Sequence, residues 1–234
     1  MTFPSEAQGQ FMSVQYPGLF ITVEGIDGAG KSTHLPYIHS VFRKEGFNVL
    51  ETREPGGTPV ANKLRDILLQ ETLAPETELL LMFAARNEHL QKSILPALSE
   101  GKCVLCDRFT DSSYAYQGGG RGIDNEIIQH LETWVQHDIK PDLTLYFDLS
   151  VELSLERRAL RNQEHNIKDR FEDESPYFFE RVRQGYLDRI KQQPHRFYVL
   201  NGADSIPIIQ ERLSDFLKDW LRYYNTTDRH PMHG

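Results

Sequence analysis

The segment Gly25-Ile26-Asp27-Gly28-Ala29-Gly30-Lys31-Ser32 matches the pattern G-x-x-x-x-G-K-[ST] at every fixed position, with Thr33 following. Glycines there let successive backbone N–H groups converge on an anion, and a helix starting at the lysine adds the positive end of its dipole. In such a loop Lys31 reaches the β- and γ-phosphates of a nucleotide, and the Ser32 hydroxyl ligates Mg²⁺. The context the motif requires is present: an apolar run at Leu19-Phe20-Ile21-Thr22-Val23 reads as a buried strand, and Lys31 to about Glu45 reads as a helix.

A phosphate loop names no reaction, so the other polar residues carry the discrimination. Arg53 and Arg108 each end a predicted strand, where a guanidinium can grip phosphate oxygens in bidentate fashion or pair with the adjacent Glu54 or Asp107. Arg86 points into a cleft if its helix packs over the strand ends, and otherwise lies on a solvated face. Asp107 closes an apolar strand, the position of a carboxylate that acts on Mg²⁺, commonly through water; helix capping is the alternative. The run from Ser112 through Tyr114, Tyr116 and Gln117 to Gly122 is expected to be an irregular loop, because four glycines fall within five residues. Between 157 and 172 basic residues gather (Arg157, Arg158, Arg161, Lys168, Arg170), and Asn162-Gln163-Glu164-His165-Asn166 interrupts the helical pattern. This reads as a mobile lid that closes arginines over a transferring phosphate, or as a solvated helical face paired by Glu156, Glu164, Asp169 and Glu172.

The elements that must position these residues alternate. Strands are predicted at 19–24, 47–52, 102–107, 143–149 and 196–200, with amphipathic helices near 31–45, 59–70, 76–99, 123–137, 151–161, 176–192 and 206–224. Gly46 and Gly101 stand where helix C-caps belong. Five strands and about seven helices in this order predict an α/β fold, a parallel sheet with helices on both faces. Ligands of such sheets bind beyond the carboxyl ends of the strands, and Asp27, Arg53 and Asp107-Arg108 all fall there.

The chain has 234 residues, 39% of them hydrophobic, and a net charge of −8. Residues 18–225 are read as one domain, 1–17 as a mobile N-terminal extension without a signal-peptide pattern, and 226–234 as a polar tail. No apolar run approaches the roughly 18 residues of a membrane span. The acidic balance argues against a nucleic-acid polymer as partner. Cys103 and Cys106 lie three apart on a predicted strand and so face opposite sides; the pair reads as buried free thiols suited to a reducing cytoplasm rather than as a redox or zinc motif. His230 and His233 in the tail read as part of a disordered terminus rather than as a metal site. A GTP-driven switch would carry Asn-Lys-x-Asp, and Asn62-Lys63-Leu64-Arg65 fails at the fourth position.

Together these residues resemble bacterial thymidylate kinase across about residues 18–222. The signatures are Glu24 through Thr33, Arg53-Glu54-Pro55-Gly56-Gly57-Thr58, Asp107-Arg108-Phe109 with Ser112 and Ser113, Tyr116-Gln117-Gly118, and Pro141-Asp142-Leu143-Thr144-Leu145-Tyr146. The resemblance implies phosphoryl transfer from MgATP to dTMP, giving dTDP and ADP for dTTP synthesis, by a cytoplasmic homodimer. It implies that residues 25–33 bind ATP and that Asp27 contacts the 3′-hydroxyl of dTMP. Arg108 would hold the dTMP phosphate with Arg53 nearby, and Arg86 would bond thymine. Ser112, Ser113 and Gln117 would line the pocket, and Tyr116 would sit under the deoxyribose and exclude a 2′-hydroxyl. An aromatic residue of the Arg86 helix stacks on thymine in the family; Met82 holds its usual position here, which makes Phe83 the candidate. The phosphate loop has no arginine, so the catalytic arginine is implied to come from the lid, as Arg161 or Arg157.

Overall fold

The structure, a computed structural model, describes residues 16–165 and 170–226, without the side chains of 161–165, 172, 225 and 226. In chain order its elements are β1 (Leu19–Glu24), α1 (Lys31–Lys44), β2 (Val49–Arg53), α2 (Pro59–Gln70), α3 (Pro75–His89), α4 (Leu95–Ser99), β3 (Cys103–Asp107), α5 (Thr110–Ser113), α6 (Asn125–Gln136), β4 (Leu143–Asp148), α7 (Val151–His165), α8 (Pro176–Gln192), β5 (Phe197–Asn201) and α9 (Ile206–Thr226). The five strands form one parallel sheet in the order β2-β3-β1-β4-β5.

β1 is buried at every position because helices cover both faces of the sheet, which is why its sequence is nearly continuous apolar residues. Its alternation sorts the core: Leu19, Ile21 and Val23 pack on one face with Cys103 and Leu105, while Phe20 packs on the other with Val104 and Cys106. Cys103 and Cys106 are thus free, buried and on opposite faces. Burial raises both thiol pKa values well above the ordinary range, so neither is a thiolate at neutral pH. From β1 the chain runs outward to β2, returns to β3, and crosses to β4 and β5. The loop after β1 therefore lies at the switch point of the strand order.

Three local expectations change. The helix predicted at 76–99 is divided into α3 and α4 by a π-helical turn, Leu90–Ile94. Pro96 supplies the reason, since it has no N–H to donate and its ring crowds the carbonyl of residue 92. The glycine run is not an irregular loop: Tyr114–Gly120 is a π-helical segment packed on α8. A Cβ at Gly119 would stand 2.5 Å from the Arg181 carbonyl oxygen, and one at Gly185 would stand 2.8 Å from Ala115 Cα. These glycines allow backbone contact between two helices. Asn162 to His165 continue α7 rather than interrupting it. Residues 1–15, Asn166, Lys168, Asp169, His230 and His233 lie outside the described residues.

Candidate active site

The phosphate loop turns because Gly25, Gly28 and Gly30 take positive φ (142°, 84° and 101°). Gly30 is the N-cap of α1, and α1 begins at Lys31. Ile26 and Ala29 bury their side chains in the core, so they offer only backbone to a ligand. Lys31 is buried, and its Nζ donates to the carbonyls of Gly25 (2.9 Å) and Ile26 (3.2 Å), 4.0 Å from Asp27 Oδ1. Burial and the nearby Arg108 lower the Lys31 pKa to about 8, although Asp107, Asp27 and Glu24 pull the other way. α7 clamps the loop from outside. Ser154 Oγ donates to Asp27 O (2.6 Å), and Arg157 Nη1 donates to Gly28 O (3.1 Å) and Gly202 O (2.9 Å). An open crevice lined by residues 27–34, Arg157, Gly202 and Asp204 lies over this loop.

A second cavity shares Asp27 with that crevice and is walled by Arg86, Arg108, Ser112, Ser113, Tyr116, Gln117, Met82 and Phe171. Arg108 has φ 69°, a left-handed value that costs a non-glycine residue on the order of 1 kcal/mol and that clusters at functional sites. Its guanidinium donates to Asp27 Oδ1 (2.6 Å), Tyr186 OH (3.1 Å), Ser112 Oγ (3.3 Å) and Tyr116 OH (3.3 Å). Burial alone would push the Asp27 carboxyl up; Arg108 and Lys31 outweigh it and hold the group well below the ordinary carboxylate range. Arg86 is buried and donates from Nε to Glu54 (2.7 Å) and from Nη2 to Ser113 Oγ (3.1 Å). Its buried Nη1 has no partner among the described residues. Gln117 Nε2 donates to Glu78 (2.6 Å), which leaves the amide oxygen as the group a ligand would meet. The Tyr116 ring stands edge-on to those of Phe171, Phe178 and Tyr186.

Asp107 follows Cys106 at the end of β3, and its Oδ1 is buried without a partner among the described residues. It lines a crevice with Ser32, Thr52 and Arg53. An exposed hydroxyl and an unpartnered carboxylate oxygen fit Mg²⁺ carried in on nucleotide phosphates, since Mg²⁺ keeps several waters and takes few protein ligands. Among the described residues, no cluster of three or more His, Cys, Asp or Glu could hold an ion without a nucleotide.

Most of the residues singled out from sequence converge on these spaces; Phe83 does not, Arg53 lines only the crevice it shares with Asp107, and the side chain of Arg161 is not described. Phe83 is buried with Phe20 and Leu79 beneath Arg86, its ring centre 4.7 Å from the guanidinium; Met82 is the residue of α3 that reaches the cavity wall. Arg53 pairs with Asp107 in the strand register and is exposed, outside the Arg108 cavity. Arg161 lies on α7, but its side chain is outside the described residues. Sequence reasoning gave no role to Glu24, Glu78, Phe171 or Tyr186, and offered Glu54 only as a partner for Arg53. Glu24 accepts from Phe109 N (2.7 Å), Ser112 Oγ (2.7 Å) and Tyr186 OH (2.9 Å), and so fixes the groups around Arg108. Glu54 holds Arg86 and lies 3.1 Å from His89 Nδ1, while Glu78 holds Gln117, Arg121 and Arg170. A charged residue closing a buried apolar strand was the available signal for Glu24. Glu78 and Tyr186 sit on helices with no local mark.

Comparison with known proteins places this geometry. Residues 23–213 match the family model described as thymidylate kinase. The chain is 53% identical over 203 residues to a thymidylate kinase of Pseudomonas entomophila (86% of this chain, 95% of that one). It is 51% identical over 205 residues to one of Nitrosomonas europaea (87% and 94%). The crystal structure of thymidylate kinase from Ehrlichia chaffeensis superposes with a TM-score of 0.69 at 35% identity, covering 86% of this chain and 98% of that one. With a phosphate loop, an adjoining arginine-lined cavity and identity sustained over most of its length, the chain belongs to the thymidylate kinase family.

Proposed function

We propose that this enzyme transfers the γ-phosphoryl group of MgATP to dTMP, giving ADP and dTDP on the route to dTTP. The observation that carries the reading is the shared wall at Asp27: the crevice over the phosphate loop and the cavity holding Arg108 and Arg86 meet at that one residue. A donor on Lys31 and a phosphate acceptor on Arg108 would then face each other. Phosphoryl transfer asks a protein mainly for alignment and charge stabilisation, so no covalent intermediate or strong base is required. Lys31 exchanges its bonds to the loop carbonyls for phosphate oxygens. Arg108 exchanges Asp27 for the dTMP phosphate, which frees the Asp27 carboxylate to accept from the sugar 3′-hydroxyl. The unpartnered Nη1 of Arg86 and the amide oxygen of Gln117, whose nitrogen is held by Glu78, supply a donor and an acceptor for the thymine edge. Mg²⁺ held by Ser32 and Asp107 would offset phosphate charge.

We take residues 18–225 as the catalytic domain, with the lid near 157–172, in a cytoplasmic homodimer. Two free buried thiols suit a reducing compartment, and no helix among the described residues is long and apolar enough to cross a membrane. Exposed Ile127 and Trp134 on α6, with Leu80 on α3, supply apolar surface for a second copy.

The test is a coupled ADP-release assay with ATP and dTMP, thymidine, dUMP, UMP or AMP, with and without EDTA. Turnover that needs dTMP and disappears with the chelator is expected. Preference for thymidine would refute the phosphate role of Arg108, and preference for AMP would refute the base-pocket assignment.

A further inference from the structure

The segment from Arg53 to Thr58, at the end of β2, meets α3 through a chain of polar side chains. Glu54 is buried, and both of its carboxylate oxygens are taken: Oε2 accepts from Arg86 Nε (2.7 Å), and Oε1 lies 3.1 Å from His89 Nδ1. A carboxylate has no proton to give, so Nδ1 is the donor. The other ring nitrogen, Nε2, lies 2.7 Å from the Thr52 hydroxyl. His89 is completely buried and stands three residues after Arg86 on the same face of α3. Gly57 packs on this contact: a Cβ there would collide with His89 Nε2 and stand 2.7 Å from Thr52 Oγ1.

The consequence falls on Arg86. A guanidinium is a rigid plane, so two anchored nitrogens fix the direction of the third. Nε is anchored by Glu54 and Nη2 by Ser113 Oγ (3.1 Å), with the Phe83 and Phe109 ring centres 4.7 and 5.2 Å from the guanidinium carbon. Nη1 is left buried and without a partner among the described residues, on a side chain that lines the Arg108 cavity together with Glu54, Pro55 and Ser113. Nη1 can only donate. A base with a carbonyl oxygen at that edge satisfies it, whereas one with an amino group sets donor against donor. His89 is not in the wall of either cavity, so its effect on a ligand passes through Glu54. Without a donor at Oε1, the Glu54 carboxylate is free to turn about its last torsion, and the Arg86 plane turns with it.

We propose that His89 is a positioning residue for the acceptor base: its Nδ1–H holds Glu54 on Arg86, and so keeps Nη1 as a fixed donor that selects a base with a carbonyl oxygen over one with an amino group. The inference rests on reading the chain as an enzyme that phosphorylates dTMP.

The experiment compares the parent protein with His89→Asn, His89→Gln and Glu54→Gln, measuring the dTMP dissociation constant by titration, kcat and KM with dTMP, dCMP and ATP, and the melting temperature. The Asn amide nitrogen can stand where Nδ1 stands and donate to Glu54; the Gln amide reaches the place of Nε2 and leaves Oε1 without a donor. In His89→Gln the dissociation constant and KM for dTMP are expected to rise about 10-fold, the loss of about one hydrogen bond, and the preference for dTMP over dCMP to fall by a similar factor. Its KM for ATP should stay within about 3-fold of the parent. His89→Asn should remain within about 3-fold of the parent in every constant, although both variants lose the imidazole and their melting temperatures fall alike. An equal rise in KM for dTMP in Asn and Gln would overturn the proposal and make His89 a packing residue, and so would a parent-like KM in His89→Gln. Glu54→Gln keeps the volume and should show the same loss confined to the acceptor; a parent-like KM for dTMP in that variant overturns the proposal even if His89→Gln does not fold. A parent that binds dTMP without turning it over would defeat the underlying reading and leave the comparison to the dissociation constants. A parent that binds no dTMP would overturn both.

Discussion

Replacing Glu24 by Gln should change the shape of the stability–pH curve as well as its height. Glu24 is fully buried at the end of β1. Burial, then the neighbouring Asp111 carboxylate, raise its pKa from 4.5 to about 7, against the opposing pull of Arg108, Ser112 and the Phe109 N–H. Between those two values the native state binds a proton that the unfolded chain has released. Stability contributed by this group is therefore full below 4.5 and is lost as pH rises toward 7. At about 1.4 kcal/mol per pH unit the full interval is worth about 3 kcal/mol, most of which falls between pH 5 and pH 8. Gln keeps the shape and still accepts from Phe109 N, but it does not titrate. Urea denaturation of both proteins at pH 5, 6, 7 and 8 measures the effect. The variant should gain about 2–3 kcal/mol on the parent across that range. Curves that stay parallel within about 0.5 kcal/mol, close to the error of linear extrapolation, would refute the raised pKa and the buried-carboxylate account of the Arg108 surroundings.

Lys31→Ala should lower kcat by roughly 100- to 1,000-fold while leaving the dTMP dissociation constant within about 3-fold, since the proposed reaction sets Lys31 on the donor phosphates; isothermal titration with dTMP alone and steady-state rates separate the two, and an unchanged kcat would sink the assigned role. Arg108→Ala removes a charge-assisted grip worth about 1.5–3 kcal/mol, so the KM for dTMP should rise about 10- to 150-fold; normal dTMP affinity in that variant would contradict the phosphate role. Gly185→Ala ought to gain about 1 kcal/mol from helix propensity, yet a Cβ 2.8 Å from Ala115 Cα should reverse the sign, for a net loss of about 1–2 kcal/mol in denaturant unfolding. A stabilised variant would mean that α8 and the 114–120 segment can separate freely.

What the sequence determined by itself was whatever contiguous residues could supply. The phosphate loop is legible because its turn, its convergent N–H groups, its lysine and its serine all lie within residues 25–32. The parallel sheet is legible because strands buried on both faces must be apolar throughout, and β1 was placed to the residue. Asp107 and Arg108 could be singled out because strand ends are where such sheets bind ligands. The tertiary structure decided everything that depends on the rotation of a helix about its axis. Whether Met82 or Phe83 meets the Arg108 cavity, and whether Arg157 or Arg158 clasps the phosphate loop, are choices between adjacent residues about 100° apart on a helix. Packing partners outside each helix settle that angle: α2 and α6 against α3, and for α7 Ser154 bonded to Asp27 across 127 residues of sequence. The glycine run read as a loop because no local signal announces that its missing side chains make room for α8. Glu24 and Tyr186 meet across 162 residues, and only the closed fold brings that carboxylate and that phenol together around Arg108.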